Sequence, residues 1–185
     1  MATTRQRMIE RTAVLLAKKG LQGTSFSEVL EASGAPRGSL YHHFPGGKNE
    51  LVLEALAFAG ARAVGVLDGL RGKPATEVAE GFFALWRWVL SASDFGAGCA
   101  VVAVTVAAEE PALLARAAEV FRAWRSELGA LLETGGVPAA QAPALAAMLI
   151  AASEGAVILA RAERSFEPFD LVAAGMLAQV AAAMR

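Results

Sequence analysis

The side chains best suited to chemistry are concentrated in one short stretch, Ser25 to Lys48. Arginine can form paired hydrogen bonds to guanine, and serine can bond base edges or phosphate. Tyrosine and histidine can contact phosphate oxygens and thymine methyl groups. The stretch therefore predicts contacts with DNA, and the candidate residues are Ser25, Arg37, Gly38, Ser39, Tyr41, His42, His43 and Lys48.

These residues differ in the contacts that we expect of them. Arg37 is the candidate base reader, and Tyr41, His42 and Lys48 are candidates for phosphate contacts. Lys48 lies at the start of the next helix, where its charge and the free backbone N–H groups both favour an anion. Gly38 has no side chain, so the backbone there can come close to a duplex.

Two of these candidates and two N-terminal arginines have an alternative interpretation. Ser25 could touch phosphate, but helix capping explains it equally well. His43 could be a packing residue. Arg5 and Arg7 could reach toward phosphate from the first helix, or could lie on a solvated face.

Two short helices around a turn are predicted to position these side chains. Ser25 and Glu28 have the spacing of a capping box, so a helix should begin near Phe26. Gly34 tolerates the left-handed backbone that a sharp turn needs. Pro36 suits the first turn of a second helix.

The second helix is predicted to run from Pro36 to Phe44, before the sequence Pro45-Gly46-Gly47 ends it. Leu40 and Phe44 are four residues apart and should point inward together. The polar side chains of the helix then remain outward. A helix–turn–helix of this kind also occurs as a plain packing unit, so the pattern alone does not establish DNA binding.

The composition predicts an all-α protein. Hydrophobic residues make up 55% of the chain, above the usual share of about 45–50%. The surplus apolar surface predicts a subunit interface or an apolar cavity. Cys99 to Ala108 could be a strand by periodicity, but the chain offers it no pairing partner, so we expect a buried helix. The other helices are predicted at about residues 1–20, 48–70, 76–93, 111–134, 138–165 and 168–184.

The charge is unevenly distributed. Residues 1–50 contain seven Lys/Arg and four Asp/Glu, a balance of +3, while residues 51–185 contain ten and fourteen, a balance of −4. A basic segment joined to an acidic one is typical of a protein that touches DNA with one end.

Several motifs resemble the DNA-binding domain of the tetracycline-repressor (TetR) family. They are Gly20-Leu21 with Thr24-Ser25, Gly-Ser-Leu-Tyr-His-His-Phe at 38–44, and Lys48-Asn49-Glu50-Leu51. Gly98-Cys99-Ala100-Val101-Val102 and Phe121-Arg122-Ala123-Trp124-Arg125 resemble a C-terminal domain of drug- and flavonoid-resistance regulators. The resemblance implies a three-helix DNA-binding domain at 1–50 and a helical ligand-binding and dimerisation domain at 51–185.

The family resemblance implies a function as well. It implies a ligand-responsive transcriptional regulator, by default a repressor, that binds a palindromic double-stranded operator as a homodimer. A small apolar or aromatic effector would favour a dimer whose two DNA-binding domains have the wrong separation, and the helix that begins at Lys48 would carry the shift. The alternative is a helical ligand-binding or scaffold protein without DNA affinity.

Aromatic residues cluster between residues 82 and 124. Each of them is individually best explained as core, but together they could line an apolar pocket with a few polar groups. The resemblance implies an effector pocket here. The candidate ligand-binding residues are Phe82, Phe83, Trp86, Cys99, Thr105, Phe121, Trp124 and Met148.

The last two predicted helices are rich in small residues. Ala147, Ala151 and Gly155 repeat every four residues, which lets two helix backbones approach closely. The last helix offers a similar surface with Ala173, Ala174, Ala178, Ala181 and Ala182. This pattern fits ordinary packing or a four-helix dimer interface, and we expect the interface.

Other functional classes have little support in the sequence. Nucleophile-elbow, P-loop, dinucleotide-binding and zinc-protease motifs do not occur, so we expect neither an enzyme nor a cofactor. Adjacent helical residues point about 100° apart, so His42 and His43 do not suit one metal ion. Residues 144–162 are nearly all apolar, but Glu154 interrupts them, and we expect a buried helix and a cytoplasmic protein without membrane contact. Cys99 is expected to be an inert buried thiol.

Overall fold

The computed structural model describes residues 2–185, and within this range all regular secondary structure is helical. The predicted all-α fold is confirmed. The helices of the described range are α1 (Thr4–Lys19), α2 (Phe26–Ser33), α3 (Ser39–His43), α4 (Gly47–Asp68), α5 (Ala75–Ala92), α6 (Ala100–Thr105), α7 (Pro111–Thr134), α8 (Ala142–Glu163) and α9 (Glu167–Ala183).

The capping box at the start of α2 is present in full. Ser25 Oγ accepts a hydrogen bond from the backbone N–H of Glu28 at 3.3 Å, and Glu28 Oε2 accepts one from the N–H of Ser25 at 2.9 Å. At the other end of α2, Gly34 has a left-handed backbone with φ of 65°. Both local predictions for this helix are therefore confirmed.

Helix α3 is shorter than the predicted 36–44. It begins at Ser39, because Pro36 to Gly38 form a turn in which the Pro36 carbonyl accepts from both Ser39 N at 3.0 Å and Ser39 Oγ at 2.6 Å. Glycine at position 38 also disfavours helix. Phe44 caps the other end and donates its N–H to the Leu40 carbonyl at 2.8 Å.

The segment after Cys99 forms the helix that we expected instead of a strand. In α6, Val101 and Val104 are buried, and the helix packs against α1. Thr105 Oγ1 donates to the Val101 carbonyl at 2.8 Å, which satisfies its hydroxyl within the helix.

The chain divides into two compact units. One contains residues 2–61 and 99–121, and the other contains residues 62–98 and 122–185. Helices α4 and α7 therefore each contribute residues to both units. The functional division at residue 50 concerns the DNA-binding segment and remains a prediction.

The first unit has a core built from the helices around the predicted DNA-binding segment. Its buried apolar side chains are Met8, Ile9, Val29, Phe44 and Leu51, and half-buried apolar side chains pack around them. Phe44 is fully buried in this cluster. The end of α3 is therefore fixed by the same core that holds α1, α2 and α4.

The second unit is built on the packing of α5, α8 and α9. The rings of Phe83 on α5 and Phe169 on α9 meet edge to face, with 5.8 Å between their centroids. Helix α8 is long and apolar enough to span a membrane by composition, but half of the relevant window is buried inside the structure. Core helices of soluble proteins have the same property, so the apolar run is accounted for by packing.

Candidate nucleic-acid interface and effector residues

Helix α3 presents a polar face that is held outward by two buried anchors. Leu40 and Phe44 are 1% and 0% exposed, while Tyr41 is 68% exposed and His42 is also exposed. Arg37 lies exposed in the turn immediately before the helix. The i, i+4 pair thus fixes the orientation of α3 and leaves donors on its outer side.

Ring contacts restrict the directions of the exposed side chains. The rings of Tyr41 and Phe26 meet edge to face at a centroid distance of 5.9 Å, so Tyr41 is supported by α2. The rings of His42 and His43 are 5.0 Å apart and tilted by 63°. His43 is half-buried, and Ser39 is half-buried with its hydroxyl donated to Pro36.

An open groove lies between α2 and α3. Its volume is about 630 Å³, and its walls include Phe26, Ser27, Leu30, Glu31, Ala35, Arg37, Leu40 and Tyr41. Arg37 and Tyr41 both line this groove, so one phosphate or base edge could contact both side chains. Glu31 is a nearby anion that would disfavour a phosphate placed against α2.

Ser25 and Lys48, like Ser39, already have intramolecular hydrogen-bond partners. Ser25 Oγ is engaged by the capping box and lies 3.0 Å from the hydroxyl of Ser27. Lys48 Nζ donates to the Leu21 carbonyl at 2.9 Å. An ammonium group has three donors, so Lys48 retains donors for a phosphate. The sequence did not single out Ser27, which the structure leaves exposed beside Ser25.

The side chains of Arg5 and Arg7 contact other residues of the first unit. Arg5 forms an ion pair with Glu54 at 3.0 Å, and its guanidinium lies 5.1 Å from the centroid of the Phe44 ring. Arg7 Nε donates to the Ser33 carbonyl at 3.3 Å. Both side chains therefore have partners within the first unit, and their contact with phosphate stays a prediction.

Glu28 connects the capping box to α1. Its carboxylate forms an ion pair with Lys19 at 2.5 Å and accepts from the backbone of Ser25. The hydrogen bond from Lys19, followed by that from Ser25, lowers the pKa of Glu28 from 4.5 to about 2. The cap therefore stays ionised, and the N-terminal end of α2 stays fixed, at any ordinary pH.

The candidate ligand-binding residues occupy both compact units. Cys99, Thr105 and Phe121 belong to the first, and the other five belong to the second. Phe82 and Phe83 are buried neighbours on α5 with ring centroids 5.9 Å apart, and the structure brings these two into direct contact.

Burial separates these candidates. Trp86, Cys99 and Trp124 are buried and Phe121 is half-buried, whereas Thr105 is exposed and Met148 is 42% exposed. Trp86 also shows a feature that the sequence could not reveal. Its indole Nε1 is buried without a hydrogen-bond acceptor in the described part of the chain.

Metal chemistry finds no support in the described residues. Between residues 2 and 185 no three His, Cys, Asp or Glu side chains converge in a way that could hold an ion.

The helix–turn–helix on an all-α scaffold defines a class of DNA-binding regulator, and comparison with known proteins gives the family. Residues 8–55 match the model of bacterial regulatory proteins of the tetR family. Residues 75–175 match the C-terminal domain of LmrA/YxaF-like transcriptional regulators. The chain belongs to the TetR family of transcriptional regulators, and within it to the group with an LmrA/YxaF-like C-terminal domain.

Individual relatives agree with this assignment. An uncharacterized HTH-type transcriptional regulator of Mycobacterium tuberculosis is 36% identical over 179 residues, which cover 93% of this chain and 91% of the relative. The HTH-type transcriptional repressor KstR2 of Rhodococcus jostii is 38% identical over 77 residues, 42% of this chain and 34% of that protein. A crystal structure of a TetR regulator from Chloroflexus aurantiacus has a TM-score of 0.80 at 26% identity, covering 96% of this chain and 94% of the other.

Proposed function

We propose that this regulator is a repressor that binds a palindromic operator as a homodimer and is released by a small apolar or aromatic effector. The observation that carries the proposal is the α3 face, where Arg37, Tyr41 and His42 are exposed above a buried anchor of Leu40 and Phe44. Repression itself is supported by the relative that is described as a repressor.

In the proposed complex, Arg37 reads base edges and Tyr41, His42 and Lys48 contact phosphates. Gly38 lets the backbone approach the duplex, since nothing lies within 4 Å of the position that a Cβ atom would take there. Ser25, Ser39 and His43 are proposed to make minor DNA contacts at the edge of this surface. The hydroxyls of Ser25 and Ser39 are already hydrogen-bonded and His43 is half-buried, so these side chains are less available to DNA. Two such helices in one dimer would enter major grooves about 34–36 Å apart.

The dimer is proposed to form through α8 and α9. Both helices leave apolar side chains exposed in the single chain, including Ile158 at 57% and Leu171 at 67%. The same two helices also expose small residues, among them Ala151 and Ala174. Exposed apolar side chains on both helices favour contact with a second apolar helix pair over contact with water.

The dimer interface can be tested with one charged residue. Leu171→Glu is expected to convert the dimer to monomer in sedimentation equilibrium, because it buries an unpaired carboxylate. Val106→Glu is the matched control, since Val106 is exposed but lies outside α8 and α9. A dimer that survives Leu171→Glu but dissociates with Val106→Glu would place the interface elsewhere.

The effector is proposed to bind among the aromatic residues of the C-terminal part of the chain. The proposed contacts are those candidates that share the second unit: Phe82, Phe83, Trp86, Trp124 and Met148. Cys99, Thr105 and Phe121 lie in the first unit, and their role in effector binding stays a prediction. Supporting this, α5 presents three buried aromatic side chains on one face, at positions 82, 83 and 86. Release requires that the effector binds the operator-free state more tightly than the operator-bound state.

Operator binding is the decisive experiment. Fluorescence anisotropy with DNA from upstream of the protein's own gene, over a salt series, should show tight binding that weakens steeply as salt rises. Arg37→Ala should cost about 1–3 kcal/mol and relax sequence preference. Arg122→Ala, at an exposed arginine in the other compact unit, removes the same charge and should have little effect.

The same experiment separates the alternative function. Weak binding that is equal for the wild type, Arg37→Ala and Arg122→Ala, on this DNA and on fragments selected from the whole genome, would indicate a ligand-binding or scaffold protein without DNA affinity.

A further inference from the structure

Trp86 differs from the other aromatic residues of α5 by having a polar group that the fold leaves unsatisfied. The residue is 8% exposed, and its Nε1 atom is buried with no acceptor among residues 2–185. Two positions further along the same helix, Trp88 is 61% exposed and can donate to water. The two indoles thus present the same group in opposite environments.

Trp86 shares one face of α5 with two other buried aromatic side chains. Phe82 and Phe83 precede it by four and three residues, so the three side chains share one face of α5. Phe83 in turn meets Phe169 of α9 edge to face. This arrangement supplies ring faces and edges but no oxygen that could accept the Nε1–H.

A buried donor without a partner is costly, and most buried tryptophan N–H groups have an acceptor. A molecule that brings an acceptor to Nε1 recovers this cost in addition to its own apolar contacts. A pure hydrocarbon recovers only the latter. The unsatisfied donor therefore discriminates between otherwise similar apolar molecules.

We infer that Trp86 Nε1 is the polar anchor of the effector, and that the effector is an aromatic compound carrying a carbonyl or similar neutral oxygen acceptor. This inference rests on the proposed effector response and narrows its ligand class. A neutral acceptor is favoured over an anionic one, because burying an anion away from water costs more than burying a neutral oxygen. The acceptor binds the indole N–H while its ring system packs on the aromatic side chains of α5.

A matched pair of probes tests the anchor directly. 2-Acetylnaphthalene and 2-ethylnaphthalene have nearly the same shape and differ in one carbonyl oxygen. The three tryptophan indole N–H signals of the full-length protein are recorded by ¹⁵N-edited NMR and assigned through Trp86→Phe and Trp88→Phe. The ketone should move the Trp86 signal downfield, and the hydrocarbon should not.

Affinities from the same titrations provide the second readout. The wild type should prefer the ketone by about fivefold or more, as expected for one net hydrogen bond. Trp86→Phe should abolish this preference, whereas Trp88→Phe should keep it. If Trp86→Phe does not fold, Trp88→Phe and Trp124→Phe assign the other two indole signals, and the remaining wild-type signal, that of Trp86, still decides.

Three results would overturn the inference: equal affinity of the wild type for both probes, a ketone preference that persists in Trp86→Phe, or no shift of a buried indole signal with either probe. Operator binding by the ligand-free protein is measured separately. Absence of operator binding would contradict the proposed function and would not change the result of the probe titrations. Failure of the probes to bind as expected would contradict only the inference about Trp86, because operator binding is measured without them.

Discussion

Asp94 and Arg164 form an ion pair with 2.6 Å between Oδ2 and Nη2, and each of the two residues has a φ of 50°. Phe95, next to Asp94, has a φ of 58°, and its ring contacts that of Phe166 with 4.7 Å between the centroids and a tilt of 52°. These three are the non-glycine residues with positive φ in the described chain. Among the described residues, non-glycine backbone with positive φ therefore occurs where the loop after α5 meets the connection between α8 and α9.

Phe95 and Arg164 are the two residues here whose side chains do not suit a left-handed backbone. Aspartate tolerates the left-handed region, whereas a bulky side chain there costs about 1–2 kcal/mol. Phe95→Ala and Phe95→Gly both remove the ring contact, but only glycine relieves the backbone. We expect Phe95→Gly to be more stable than Phe95→Ala by about 1 kcal/mol, measured by urea unfolding. Equal stability of the two variants would show that residue 95 does not hold this backbone in solution.

The α2 cap should give the first compact unit a defined acid transition. Glu28 has a pKa of about 2 when folded, lowered from 4.5 by Lys19 and Ser25. Because the folded pKa is the lower one, its contribution to stability is present above pH 4.5 and is lost as the pH falls toward 2.

The measurement for Glu28 is an NMR titration of its carboxyl carbon together with thermal unfolding between pH 2 and 6. Glu28→Gln should be less stable than the wild type above pH 4.5, and the difference should shrink toward pH 2. A carboxyl that titrates near 4.5 would contradict the contact with Lys19. High salt should reduce the effect, since both side chains are partly exposed.

The elements that sequence reasoning located well are those governed by neighbours along the chain. The capping box and Gly34 depend on residues three to nine positions apart, so their pattern was sufficient to place α2. The choice of helix after Cys99 was also correct, since an isolated strand has no partner for its backbone. The start of α3 was predicted three residues too early, which shows the limit of local patterns. Residues 36–38 form a turn, and the sequence pattern did not distinguish this turn from the first turn of a helix.

What the sequence could not show depends on residues that are distant in the chain. The ring contact between Phe95 and Phe166 joins positions 71 residues apart, and no local pattern indicates a phenylalanine with a left-handed backbone. The Lys48–Leu21 hydrogen bond and the unsatisfied Trp86 Nε1 are likewise consequences of packing. The DNA-binding candidates stay predictions for a related reason: exposure shows which groups are available but not which atoms of DNA they meet.

Gly60 should be intolerant of even one methyl group. A Cβ atom added there would lie 2.9 and 3.0 Å from the two methyl carbons of Val120, in the contact between α4 and α7. Gly60→Ala should therefore destabilise the protein by about 1–3 kcal/mol through overpacking. Gly65→Ala, in the same helix with nothing within 4 Å, should instead stabilise it by up to about 1 kcal/mol.

Urea unfolding of both glycine variants makes the comparison independent of helix propensity, since each gains the same residue in α4. A Gly60→Ala variant as stable as Gly65→Ala would mean that Val120 rotates away or that α4 and α7 separate readily. The wild type gives the reference for both.

Lys48 and Arg37 should differ in a way that operator affinity alone cannot show. Lys48 Nζ is tied to the Leu21 carbonyl, so Lys48→Ala should lower the free energy of unfolding by about 1 kcal/mol as well as weaken DNA binding. Arg37 is exposed, so Arg37→Ala should leave the free energy of unfolding within about 0.5 kcal/mol of the wild type.

The two variants should also differ in anisotropy titrations. Lys48→Ala should reduce the salt slope by about one and weaken binding to all DNA sequences alike, while Arg37→Ala should lose discrimination between operator and random DNA. Unchanged stability of Lys48→Ala would leave that lysine as a phosphate contact only, and unchanged discrimination by Arg37→Ala would remove Arg37 as the base reader.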